Sequence, residues 1–170
     1  VARMSSRSVE IPRYIKDWHD YVAAEPQNHG KDIKLLRKMV EKLLRNKTVF
    51  YDDTDVEAFI EFSKLVKHRE GRWAGQPLEL SIEQKYIAAC VFGFKTFDAE
   101  LKMDVRYFKE LVLFVGRKWG KSTFISAVAD FMLMCDREPA AQVWCLATQK
   151  QQASIVYEAA KNFALGSEAL

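Results

Sequence analysis

The spacing of apolar residues changes several times along the chain, and each change predicts an element. From Lys31 to Lys47, Ile33, Leu36, Val40, Leu43 and Leu44 recur at three- and four-residue steps, which predicts an amphipathic helix. Thr54-Asp55-Val56-Glu57 has the capping-box pattern, and Val56, Phe59, Ile60 and Leu65 extend it as an apolar stripe. Gly71 to Pro77 holds two glycines and a proline, so a break is expected there. Ser81-Ile82-Glu83-Gln84 repeats the capping-box pattern ahead of a nearly continuous apolar run, Tyr86 to Phe94, which predicts a largely buried helix. Lys95 to Arg106 is mixed and polar without a clear period, and predicts a loop. The chain contains no internal repeat.

Beyond Glu110 the character changes. Leu111 to Val115 is a short, continuous apolar run, as expected of a parallel strand covered on both faces. It leads through a glycine-containing loop, Gly116 to Ser122, into a helix with Phe124, Ile125, Val128, Ala129, Met132 and Leu133 as its predicted apolar face, ending near Asp136 to Pro139. Val143 to Ala147 predicts a second buried strand. Thr148-Gln149-Lys150-Gln151 is a third capping-box pattern, opening a helix that stops near Gly166. Strand, loop, helix, strand, helix is a βαβ unit plus one helix, with a right-handed crossover expected.

Composition narrows the class without naming a function. The chain has 170 residues, 49% hydrophobic and 29% charged, which suits a folded domain with a substantial core and not a disordered tail. No apolar run approaches the roughly 20 residues that span a bilayer. The net charge of +3 conceals a local bias, since Lys31 to Lys47 carries seven basic residues and two acidic ones. That helix either rests on nucleic-acid phosphates or presents a solvated cationic face while its apolar stripe serves the core. Asp52, Asp53 and Asp55 sit where the macrodipole favours acids at a helix start, so a metal is not required to explain them. Cys90, Cys135 and Cys145, with His19, His29 and His68, lack metal-ligand spacing and predict buried free thiols in a reducing compartment. The chain opens on Val1, without a secretory leader, and is expected to be a processed or excised piece.

The loop between the predicted strand and helix carries the chemistry. A phosphate-binding loop needs glycine where the backbone turns tightly and aims successive N–H groups at anionic oxygens. It also needs a lysine for the β- and γ-phosphates and a hydroxyl on the first helical turn for Mg²⁺. Gly120, Lys121 and Ser122 supply those parts, and the helix N-terminus adds partial positive charge. The strict pattern would place a glycine at position 115, where this chain has Val115 followed by Gly116. The competing reading is a glycine turn with an incidental lysine.

Arg106-Tyr107-Phe108-Lys109-Glu110, the apolar run, and Arg117-Lys118-Trp119-Gly120-Lys121-Ser122 together resemble the ATPase domain of the tailed-bacteriophage terminase large subunit. That family's Arg-Lys-x-Gly-Lys-Ser loop commonly lacks the first glycine, which accommodates Val115. The similarity extends to Ala147-Thr148 with Gln152-Ala153 and to the Leu80 to Phe94 helix with its early glutamine, covering roughly residues 78 to 163. The resemblance implies an α/β fold with a P-loop NTPase-type parallel sheet, incomplete here. The expected division is an N-terminal helical region in residues 1–70, which the resemblance does not cover, and a partial P-loop ATPase domain in residues 71–170. The resemblance implies ATP and Mg²⁺ as ligands, held by Gly116, Arg117, Lys118, Trp119, Gly120, Lys121, Ser122, Thr123 and Gln84. Lys121 would contact the β- and γ-phosphates, Ser122 would ligate the metal, and Arg117 would stabilise or sense charge at the γ-phosphate. Gln84 would lie near adenine, or would simply complete the Ser81 capping box. Thr148 is equally a natural N-cap. Trp119 would pack on the ATPase core or on a neighbouring subunit.

Partners implied by the resemblance are double-stranded viral DNA, the terminase small subunit and the portal, with homo-oligomeric assembly in the cytoplasm of a bacterial host. Hydrolysis in the family also needs an acidic pair at the end of a further strand, and no apolar strand ending in Asp-Asp or Asp-Glu follows Ser122. A downstream nuclease domain is likewise expected outside this chain. The expectation is therefore an N-terminal fragment of a DNA-packaging motor with weak or no ATPase activity by itself. The alternatives are a helicase-like nucleic-acid-dependent ATPase, or a non-enzymatic helical adaptor binding DNA or a partner through Lys31 to Lys47.

Overall fold

The computed structural model describes residues 10–68, 71–136 and 140–167. In chain order the elements are α1 (Arg13–Ala24), α2 (Lys31–Leu43), β1 (Val49–Tyr51), α3 (Thr54–Leu65), α4 (Ile82–Gly93), β2 (Phe94–Asp98), β3 (Met103–Arg106), α5 (Lys121–Met134) and α6 (Lys150–Gly166). Among the described residues of the stretch expected to be helical, 1–70, are the α-helices α1, α2 and α3 and also β1, which no local periodicity announces. Among the described residues no helix is long and apolar enough to cross a membrane. Two compact units emerge, each built from two stretches of chain: residues 1–53 with 85–111, and residues 54–84 with 112–170.

In the first unit, α1 starts directly after Pro12, whose fixed φ suits a helix entry, and buries Tyr14, Ile15, Trp18, His19 and Val22 on one face. Trp18 stacks on Tyr86 of α4 with ring centroids 5.7 Å apart. The predicted α2 begins at Lys31 as expected, yet only Val40 and Leu43 of its stripe are buried.

Lys95 to Arg106 is not a loop but a hairpin. β2 pairs antiparallel with β3, and β1 pairs antiparallel with the other edge of β2, in the order β1-β2-β3. Two features hold this sheet, one remote in sequence and one local. The Lys95 Nζ reaches Asp52 Oδ2 at 2.7 Å, linking positions far apart in sequence. At the hairpin tip the Asp98 carboxylate accepts the backbone N–H groups of Leu101 and Glu100, which holds its pKa below the usual carboxylate range. Gly93, between α4 and β2, is required by close packing, because a Cβ there would lie 2.3 Å from the Tyr51 ring.

The second unit has an aromatic core. Phe59 of α3 meets Phe124 and Phe131 of α5 edge-on at 6.0 and 5.3 Å, and Phe62 meets Phe131 at 5.6 Å. The buried face of α5 is accordingly Phe124, Ser126, Ala127, Asp130 and Phe131, instead of the predicted face through Ile125, Val128, Met132 and Leu133. The predicted face is the more apolar one, but packing against α3 and α6 decides which side is covered. Helix α5 ends at Met134, while Arg137, Glu138 and Pro139 of the predicted stop lie outside the described residues.

Two strand predictions fail. Leu111 to Val115 and Val143 to Ala147 form no strand, so the parallel sheet is not observed. Their side chains stand in the open: Val112 is 89% exposed, Phe114 101%, Trp144 76% and Leu146 88%. The physical reason is pairing. A central parallel strand is stable only with a hydrogen-bonded neighbour and helices over its faces, and among the described residues these segments have no ladder partner. The thiols are free, as expected, but not fully buried: Cys135 is exposed and Cys90 and Cys145 are half-buried.

Candidate functional site

The site is built around the start of α5 in the second unit. Gly120 is the N-cap, with φ +91° and ψ 18°, a left-handed conformation that glycine adopts without strain. Two residues earlier Lys118 also has positive φ, +69°, so the loop backbone reverses twice before the helix begins. The first helical bond runs from Phe124 N–H to Gly120 carbonyl oxygen at 2.9 Å, and no side chain caps the helix. The N–H groups of Lys121, Ser122 and Thr123 are therefore available at the positive end of the helix dipole. Among the described residues no hydrogen bond or salt bridge engages the side chains of Arg117, Lys118 or Lys121, and all three are exposed. An open helix N-terminus beside three uncommitted cations suits a polyanion.

The loop is anchored by a residue whose role its sequence context left open. Trp119 packs edge-on against Phe124 at 5.9 Å and donates its indole N–H to Glu83 Oε2 at 2.7 Å. It therefore packs on the core of its own unit. Glu83 is the member of this site that sequence reasoning missed most plainly, because nothing local couples positions 36 residues apart.

Gln84 does two things at once. Its backbone N–H donates to Ser81 Oγ at 3.2 Å while its Oε1 accepts the Ser81 N–H at 3.0 Å, a complete capping box. That bond orients the rest of the amide. A Cβ placed on Gly120 would lie 3.5 Å from Gln84 Nε2, so the amide nitrogen stands over the loop.

Gln84, Trp119, Gly120 and Thr123 line a hollow of about 670 Å³ together with Trp73 and His68, residues without any signal in the sequence. The volume lies within the usual range for small-molecule sites. Gly116, Arg117, Lys118 and Lys121 do not line it. Ser122 instead faces a neighbouring hollow of about 330 Å³, bordered by Glu158 and Asn162 of α6. A cavity of about 560 Å³ in the first unit, near Pro12 and Tyr51, contains none of the predicted site residues.

Helix α6 is tied to α5 by Ser126, whose hydroxyl donates toward the carbonyl oxygens of Ser122 at 2.8 Å and Val156 at 3.0 Å. The expected cap of α6 is shifted by one residue. Gln149 is the N-cap without a side-chain bond, and the Thr148 hydroxyl turns to Gln152 Oε1 at 3.3 Å. One turn past Ser126, Asp130 is 4% exposed, and its Oδ2 has no hydrogen-bond partner among the described residues. Burial pushes this carboxyl up to about 6.

The family model described as the terminase large subunit ATPase domain matches residues 84–168, half of the chain. The chain belongs to this terminase ATPase family. The match begins at Gln84 and contains the whole loop and both helices α5 and α6, in keeping with the resemblance drawn from the motifs. Terminase ATPase membership makes ATP hydrolysis the class of reaction. No curated protein and no solved structure matches the chain significantly.

Proposed function

We propose that this terminase ATPase chain is the nucleotide-gripping, N-terminal part of the motor that drives phage DNA into a preformed capsid. The observation that carries the reading is the left-handed Gly120 N-cap, flanked in the chain by the exposed cations Arg117, Lys118 and Lys121, with the Gln84 amide nitrogen close to Gly120. Lys121 reaches the β- and γ-phosphates, and Arg117 lies toward the γ-phosphate, where its guanidinium stabilises developing charge. Gln84 reads the base side, and Gly116, Lys118, Trp119 and Thr123 complete the loop.

Among the described residues no cluster of His, Cys, Asp or Glu is able to hold a metal ion. Mg²⁺ would arrive on the triphosphate, with the Ser122 hydroxyl as a protein contact. When bound, the ion neutralises phosphate charge.

The exposed apolar rows at Val112 and Phe114, and at Trp144 and Leu146, support a partial domain in residues 71–170 following a mainly helical region in 1–70. Further strands would cover them and would bring the acidic pair for hydrolysis, with a nuclease domain beyond. Residues 1–170 are therefore expected to bind Mg·ATP in a calorimetric titration and to turn it over only weakly. Turnover at a motor-like rate by this chain would sink the partial-domain reading, and absence of binding would sink the nucleotide reading.

The setting is the host cytoplasm, with the small subunit, the portal and further copies of the chain as partners. Viral DNA is the other partner. On α2 the residues Lys31, Lys34, Lys38 and Lys42 are exposed at three- and four-residue steps, whereas Arg37 is engaged by Glu41 at 2.9 Å. This row favours a contact with the phosphate backbone, which is also the second, adaptor-like reading of the chain. Reversing the charges of Lys34, Lys38 and Lys42 is expected to abolish salt-sensitive duplex binding in an anisotropy titration while leaving ATP binding unchanged. Duplex binding that survives the reversal would place the DNA contact elsewhere.

A further inference from the structure

The hollow beside the loop contains a large aromatic side chain that nothing in its own surroundings explains. Trp73 ends the short helical turn Gly71–Trp73, lines the hollow with Gln84, Trp119 and Gly120, and is still 49% exposed. A half-exposed indole leaves apolar area in water. Its presentation is not a matter of a loose chain. His68 N–H donates to Gln76 oxygen at 2.9 Å, Gly75 N–H to His68 oxygen at 2.7 Å, and Gln76 N–H to Trp73 oxygen at 2.9 Å. Leu78 N–H closes the base of this segment on Val66 oxygen at 2.7 Å. Gly75, at φ +81°, allows the reversal.

The two tryptophans of the hollow are in different situations. Trp119 spends its N–H on Glu83 and an edge on Phe124, so it is a wall. Among the described residues no hydrogen bond engages the Trp73 indole N–H. The Arg72 guanidinium covers one face of the Trp73 ring, 4.8 Å from its centroid, which braces the indole as a cation–π pair. What remains is a rigid, flat, electron-rich surface at the rim of a cavity that also presents the Gln84 amide.

We propose that Trp73 is a base-stacking residue of the nucleotide site, holding the purine of the triphosphate against the indole while the loop holds the phosphates. The inference rests on the nucleotide reading of the loop given above. Stacking needs only a π-face and gains with ring overlap, so it adds affinity for the two-ring purines over pyrimidines, whereas Gln84 supplies the directional hydrogen bonds. Arg72, by covering one indole face, is its positioning residue.

The test is calorimetric titration of residues 1–170 and two variants with Mg·ATP and, separately, with inorganic tripolyphosphate. Trp73→Ala is expected to weaken ATP binding about tenfold and to leave tripolyphosphate binding unchanged, with Trp73→Phe recovering most of the ATP affinity. Unchanged ATP affinity in Trp73→Ala, with both ligands bound by the wild type, overturns the stacking role alone. Equal losses for both ligands in Trp73→Ala overturn it as well, since they make Trp73 a structural residue. A wild-type chain that binds neither ligand overturns the nucleotide reading and this inference with it.

Discussion

Replacing Lys121 by alanine is expected to weaken Mg·ATP binding by about 10- to 150-fold without unfolding the protein. The lysine is the first residue of α5, exposed, and no hydrogen bond or salt bridge holds its side chain among the described residues. Its ammonium is therefore available to the triphosphate. A hydrogen bond to a charged partner contributes about 1.5–3 kcal/mol, and about 1.4 kcal/mol corresponds to tenfold in affinity. The backbone N–H groups after Gly120 and the neighbouring Arg117 remain, so the loss is large but not total. Because the side chain is exposed, the unfolding free energy from urea denaturation is expected to change by less than about 0.5 kcal/mol. Calorimetry with parallel urea unfolding separates the two effects. Unchanged affinity would make Lys121 incidental to a glycine turn, while a collapse of stability would assign it to the fold instead.

Asp130→Asn is expected to stabilise the second unit, and to do so only where the aspartate is charged. The folded carboxyl sits at about 6 against an ordinary value of 3.8, so the folded protein binds this proton more tightly than the unfolded chain does. The sign follows directly. Below about pH 4 both states carry the proton and nothing is lost. As pH rises from about 4 to about 6 the unfolded chain releases its proton into water while the folded carboxyl still holds its own, and stability falls. Above about pH 6 the loss is complete. A shift of this size corresponds to about 2–3 kcal/mol. Asparagine keeps the shape, so urea unfolding at pH 8 is expected to show a gain of about that size, shrinking toward zero at pH 4. A pH-independent gain would trace the effect to packing, and no gain at pH 8 would mean that the carboxylate finds a partner in solution.

The legible parts of this protein were those in which neighbours in sequence act on each other. Ser81 and Gln84 are three residues apart and bond each other's backbone as the pattern predicts. Gly120 has a backbone that favours glycine, and the helix starts at Lys31, Thr54, Lys121 and near Thr148 lie where local signals put them. The glycine loop is legible for the same reason: its free N–H groups belong to consecutive residues at one helix end. Misreadings arose where pairing partners are remote. Lys95 to Arg106 lacks a local period, and becomes a hairpin with β1 added at its edge. Leu111 to Val115 and Val143 to Ala147 have strand composition, yet composition supplies neither a ladder nor a covering layer.

By itself, then, the sequence determined helices α2 to α6, the glycine turn with its lysine and serine, and the family, because capping, backbone conformation and motif spacing act over a few residues. It did not determine α1. Only the tertiary structure decided that Glu83 holds Trp119, that Gln84 faces Gly120, that Trp73 lines the same hollow, and which side of α5 is buried. Those contacts join residues tens of positions apart. Their free energy comes from desolvation and hydrogen bonding between surfaces that exist only after the chain has folded.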